Sequence, residues 1–226
     1  MMEAESRLST VNLGGLRLPW KPALAVVIST LLLIVDFYYV DGTHILPYTT
    51  FAEKVRNESY VHLVMYFALP LALIVFAFRE KPADYGLTLG DWRTGLKWTL
   101  GAWLVATPIL YLIGRTPDMV AYYVRYEASP LDVALTALLD LLNWEFFFRG
   151  FLLFTLYRIA GPSAVLLQAV PFALAHLTKP PVETLSTIFG GAAFGWLAWR
   201  TRSFLYPFLV HWFITTVVIF VAMGAG

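Results

Sequence analysis

Seven runs of mostly apolar residues, each close to the length that crosses a bilayer, constrain this chain more than any other feature. A spanning helix needs roughly 20 such residues. The runs lie at about Pro22–Val40, Tyr60–Phe78, Leu96–Gly114, Leu131–Ile159, Ser163–Leu177, Val182–Trp199 and Phe204–Met223. The fourth is long and carries several polar residues. The fifth, at about 15 residues, is short enough to be re-entrant or tilted. A short interfacial helix is predicted between Asp118 and Tyr126. Hydrophobic residues make up 59% of the 226, and charged residues 14%. Soluble domains hold about 45–50% and about 25% respectively, so a soluble globule of this size could not bury the excess. The predicted fold class is therefore all-α, a polytopic membrane helix bundle of seven or eight transmembrane helices. It divides into a polar N-terminal segment, 1–20, and one integral membrane domain, 21–226.

The same composition excludes several functions. A formal charge of +1 with no basic stripe argues against nucleic acid. The absence of cysteine excludes disulfides, thiolate zinc sites, iron–sulfur clusters and a cysteine nucleophile. The N-terminal segment lacks the layout of a cleaved signal peptide, so the first run is predicted to stay as a signal anchor. With the N-terminus in the cytoplasm, ten Lys and Arg residues fall inside. Five fall outside (Lys54, Arg56, Arg115, Arg125 and Lys179), and Arg149 lies within a span. That bias favours a cytoplasmic N-terminus and, with seven spans, an outer C-terminus.

Ionisable groups inside a span are expensive and mark candidate sites. The fourth run contains Asp140, Asn143, Glu145 and Arg149. Glu145 and Arg149 are four residues apart, share one helix face and can pair. Alone, that pair reads equally well as a structural ion pair. His176 in the fifth run and His211 in the seventh change the balance, because two histidines on separate spans suit a converging site. His44 is predicted in a loop and His62 near the start of a span, both as structural or surface residues.

A carboxylate and a histidine can activate water as general bases. A second histidine with a hydroxyl four residues on, His211 and Thr215, can donate to a developing oxyanion. That set suits peptide or ester hydrolysis. Two histidines and a glutamate are also a zinc set, but no His-Glu-x-x-His sequence occurs, and metal is the less favoured option. Serine catalysis fits poorly, since no Gly-x-Ser-x-Gly context exists.

Over roughly 131–216 the chain resembles the CAAX-processing and bacteriocin-processing intramembrane proteases, the Abi or CPBP family. Their pattern is Glu-Glu-x-x-x-Arg, then Phe-x-x-x-His, then His-x-x-x-Asn or Asp, on successive membrane helices. Glu145 and Arg149 match the first motif, Phe172 and His176 the second, and His211 opens the third. Trp144 stands where the family has its first glutamate, and Thr215 where it has Asn or Asp. The resemblance implies that the first glutamate and the histidine of the second motif activate water, while the last two residues form the oxyanion site.

Transferred to this chain, the catalytic set is Glu145, His176, His211, Arg149 and Thr215. His176 and Glu145 activate water, His211 and Thr215 steady the oxyanion, and Arg149 holds Glu145. No cofactor is expected. The implied partners are the lipid bilayer and a membrane-tethered peptide or protein substrate. Trp144 cannot act as a base, and three readings of it stay open. Glu145 takes over, or Asp140 helps from nearly the same face about 6 Å along the axis, or the chain is an inactive relative that binds peptides as a scaffold. A transporter fits less well, because no repeated halves are visible.

Overall fold

Three of the long helices begin where a side chain caps a free backbone amide. A computed structural model describes residues 9–40 and 46–225 of the chain. His44, Arg7 and the rest of the first eight residues lie outside the described residues. The described part opens with an antiparallel hairpin, β1 (Thr10–Leu13) and β2 (Leu16–Pro19). Gly14 and Gly15 make its two-residue turn at φ +59° and +96°, a conformation that side chains resist. Ten helices follow: α1 (Trp20–Val40), α2 (Phe51–Ala77), α3 (Trp92–Ile113), α4 (Pro117–Tyr123) and α5 (Pro130–Glu145), then α6 (Leu153–Ala160), α7 (Ala164–Leu167), α8 (Ala169–Leu174), α9 (Pro181–Thr201) and α10 (Leu205–Met223).

Five helical stretches are long and apolar enough to cross a membrane: α1, α2, α3, the stretch Pro130–Leu174 that runs from α5 to α8, and α10. The fourth and fifth apolar runs both lie within that fourth stretch. Gly161 breaks it at φ +53° and ψ −137°, a backbone region open essentially only to glycine. The sixth run is α9, 21 residues long, whose first turns carry Glu183, Thr184, Ser186 and Thr187 and dilute its apolar character. The second run starts nine residues earlier than its apolarity suggests. Thr50 accepts from the Glu53 amide, and the Glu53 carboxylate accepts from the Thr49 amide, so a polar first turn is capped from both sides. Ser129 caps α5 through the Asp132 amide, and Asp91 caps α3 through Thr94.

Between α5 and α6 the chain runs through a wide helical turn, Phe146–Leu152, whose seven residues are all buried. Such π-type turns recur at functional sites because the extra residue re-aims the side chains around it. Here the turn sits in an aromatic block. Tyr66 lies 4.6 Å from Phe147, Phe67 4.6 Å from Phe146, and Phe148 5.4 Å from Phe172, measured between ring centroids. α10 packs against α3 and α5, and α2 packs against α5. Outward-facing apolar side chains such as Leu104 and Phe189, each 78% exposed, suit a lipid surround.

At one end of the bundle Glu80 ties three elements together. Its carboxylate accepts from Lys21 at 2.6 Å and Arg158 at 2.7 Å, and also from the Tyr85 hydroxyl. Burial alone would raise the pKa of this carboxyl, but the hydrogen bonds from Arg158, Lys21 and Tyr85 outweigh it and hold the value at about 2.

Candidate active site

Residues from six elements meet around a cavity of roughly 1070 Å³. Its walls include Asp36 of α1, His62 of α2, Tyr122 of α4, Asp140 and Trp144 of α5, Phe172 of α8, and His211 and Thr215 of α10. His176 and Lys179, from the turn after α8, complete it. Both histidines named from the sequence therefore face one space, as does Thr215. Their rings are 6.5 Å apart, centroid to centroid.

Each of these histidines is anchored through Nδ1. The Nδ1 of His176 is 2.8 Å from the carbonyl of Phe172, which can only accept. Nδ1 therefore carries the hydrogen, and Nε2 is left with the lone pair of a neutral imidazole. Phe172 also stacks at 4.5 Å from the His176 ring and limits its rotation. The Nδ1–H of His211 donates to Glu145 Oε1 at 2.7 Å, so its Nε2 is likewise directed away from its anchor.

Glu145 occupies a different setting from the one sketched above. It is fully buried and does not line the cavity. Its Oε1 receives both His211 and the Nη1 of Arg149, the latter at 3.0 Å along one helix face. The Arg149 guanidinium is fully buried too, 3.9 Å over the Phe172 ring and 5.2 Å over Phe194. Arg149 and the aromatic rings thus seal the carboxylate behind His211. Its chemistry is to orient and polarise that imidazole, much as a buried carboxylate does in other histidine sites.

A second histidine–carboxylate group lies on the cavity wall. His62 is 7% exposed, so it is not a surface residue. Its Nδ1 sits 2.6 Å from Asp140 Oδ1 and its Nε2 2.8 Å from Asp36 Oδ1. Trp144 stands edge-on to the His62 ring at 5.3 Å, with Tyr66 4.6 Å from Trp144. Three separate elements, α1, α2 and α5, supply this group. Sequence reasoning singled out Asp140 but passed over His62 and Asp36. The available signal was that Asp36, like His62, is ionisable within an apolar run. Asn143, also noted in the fourth run, is fully buried and donates to the Ser59 carbonyl at 3.1 Å, fastening α5 to α2.

The outer rim is cationic and aromatic. Lys179 lies 4.9 Å over Tyr122, and Arg125 lies 4.0 Å from the same ring. Burial would lower the pKa of the Lys179 ammonium, but the oxygens of Tyr123 and Glu183 around it hold the value well above the usual one, so it stays charged. Among the described residues no three His, Asp or Glu side chains gather as a metal-binding group, and His176, His211 and Glu145 do not form the zinc set considered above.

With this geometry in view, comparison with known families becomes informative. Residues 127–217 match the family described as type II CAAX prenyl endopeptidase Rce1-like. The matched stretch spans α5 to most of α10 and contains every residue of the three motifs. No curated protein and no solved structure gives a significant match to the chain. The stretch is Rce1-like, and its description agrees with the CAAX-processing resemblance carried by the motifs.

Proposed function

We propose that the protein is an integral membrane endopeptidase that hydrolyses a peptide bond of a membrane-tethered, prenylated substrate. The observation that carries this reading is the pair of cavity histidines from different elements, each anchored at Nδ1 and open at Nε2. The Rce1-like match over the same residues supports it. Nε2 of His176 holds and polarises the attacking water. As the water oxygen bonds to the substrate carbonyl carbon, the carbonyl oxygen becomes an oxyanion. His211, whose ring Glu145 holds at Nδ1, and the Thr215 hydroxyl stabilise it. Glu145 and Arg149 are positioning residues, because they act through His211. The proton released by the water as it attacks is delivered to the leaving nitrogen when the tetrahedral intermediate collapses and the C–N bond breaks.

The proposal extends to topology. Seven crossings are supported by the five apolar stretches, by α9, and by the break at Gly161 that divides the longest stretch in two. A cytoplasmic N-terminus is supported by the basic bias. Three of the five basic residues assigned outside (Lys54, Arg125 and Lys179) line the cavity and so have a reason to be there other than topology. No step requires a metal, so a chelator should leave the rate unchanged.

One observation favours a second reading. Trp144 occupies the position where relatives place a base, which suits a non-cleaving, peptide-binding relative. The experiment is cleavage of a prenylated CAAX peptide by membranes holding the native chain or His176→Ala. Loss of about 10²–10⁴ in rate on losing the histidine supports the protease. Equal rates in both, or no cleavage by either, would overturn it.

A further inference from the structure

Resting on the endopeptidase reading, we propose that Asp140 is the carboxylate that takes the water's proton, with His62 and Asp36 as the residues that position it. Relatives place this carboxylate one helical turn further on, where this chain has Trp144. Residues 140 and 144 share a helix face, about 6 Å apart along the axis. Both line the cavity that holds His176.

Two features separate Asp140 from Glu145 on the same helix. Its side chain is 20% exposed, whereas that of Glu145 is sealed. Like Glu145, it commits only one oxygen, Oδ1, here to His62, but unlike Glu145 it lines the cavity. It also stands beside a histidine whose two ring nitrogens both face carboxylate oxygens. Both contacts are hydrogen bonds only if each nitrogen carries hydrogen or one acid is protonated, so the three groups share a single bound proton beyond that of neutral imidazole. The group then carries a net charge of −1 on the cavity wall, with Asp140 held at one end. Trp144 and Tyr66 flank the imidazole.

The step balances. One O–H bond of water breaks as Oδ2 of Asp140 takes the proton, while the other hydrogen stays on the oxygen and donates a hydrogen bond to Nε2 of His176. The oxygen's electron pair forms the new bond to the carbonyl carbon. Asp140 then returns the proton to the leaving nitrogen as the C–N bond breaks, and the carboxylate is regenerated.

A purely structural reading is also on the page, since His62 and its two carboxylates clamp α1, α2 and α5 together. The test separates the two. Native chain, Asp140→Asn, Asp36→Asn, His176→Ala and Asp140→Asn/Trp144→Glu are compared in proteoliposomes on a prenylated CAAX peptide, with folded yield measured alongside. The proposal expects Asp140→Asn to lose about 10²–10⁴ in kcat with KM little changed. Asp36→Asn, which weakens the positioning of His62 but leaves the base, should lose roughly tenfold. The double variant should regain at least about tenfold over Asp140→Asn, because it returns a carboxylate to the relatives' position. Equal losses in Asp36→Asn and Asp140→Asn, or a folded double variant that stays inactive, would overturn the proposal. If neither variant lacking Asp140 accumulates as folded protein, the group is a clamp and the proposal fails. Full activity in Asp140→Asn with none in His176→Ala sinks the Asp140 role and leaves the protease reading standing. Full activity in His176→Ala sinks the protease reading itself.

Discussion

Two histidine–carboxylate groups lie a few residues apart along α5, and they differ in what surrounds them. Glu145 meets His211 behind a wall of aromatic rings, its charge balanced by a buried Arg149. Asp140 meets His62 on the cavity wall, with a second carboxylate in place of an arginine. The first group is sealed, with Arg149 and His211 both on one carboxylate oxygen, so it can orient a neighbour but cannot exchange protons with a substrate. The second is short of positive charge and open, so it can. The same two residue types give a positioning device or a base according to burial and counter-charge.

If this contrast holds, damage to the sealed group should appear first as lost stability. Glu145→Ala strands the Arg149 guanidinium without its partner in a dry interior, a loss of about 3–5 kcal/mol. Thermal unfolding in detergent should show it, and Glu145→Gln, which keeps the shape, should suffer less. A Glu145→Ala protein as stable as the native chain would mean that Arg149 finds another anion and the centre is not sealed.

A change on the open side should instead appear in rate. Thr215→Val removes a hydroxyl from the cavity wall while keeping the volume close to native. The expected loss is about 10²–10³ in kcat with little change in unfolding temperature. A stability loss without a rate loss would place Thr215 with the packing residues.

The smallest effect is expected where neither group is touched. Glu80 stands at the other contacts of the bundle, with its carboxyl held at about 2 by Arg158, Lys21 and Tyr85 against the raising effect of burial. Its folded-state value lies below the ordinary carboxylate value of 4.5. Its contribution is therefore complete above that ordinary value and fades as pH falls towards the folded one. Unfolding temperature should drop between those limits in the native chain and drop less in Glu80→Gln, with cleavage at neutral pH close to native.

Much of this architecture was legible in the sequence, for identifiable reasons. Apolar length announces helices, so six of the runs correspond to long helical stretches even where their ends moved, while the fifth holds only the short α7 and α8. The spacing of Glu145 and Arg149 sets their pairing by helix geometry alone, and the structure has that bond. What stayed hidden depends on distant partners or polar caps. The first turns of α2 are charged, so hydropathy misses them, and only the Thr50–Glu53 cap marks the start. The burial of Glu145 comes from the wide turn at Phe146 and from Phe172 and Phe194, which are far away in sequence. His62 meets Asp36 and Asp140 across 26 and 78 residues, and no local pattern encodes such a meeting. The hairpin is the exception, because Gly14-Gly15 between Leu13 and Leu16 was a readable turn signal that the polar composition of the segment obscured.

The central claim is that Asp140 faces the cavity and Glu145 does not, and carboxyl labelling tests it without altering the protein. Native chain in membranes would be treated with a water-soluble carbodiimide and an amine, then mapped by peptide mass spectrometry. The account predicts that Asp140 is labelled, that cleavage falls in step with that labelling, and that Glu145 is labelled only after unfolding. Labelling of Glu145 in the folded protein at the rate of Asp140, or protection of Asp140, would contradict it.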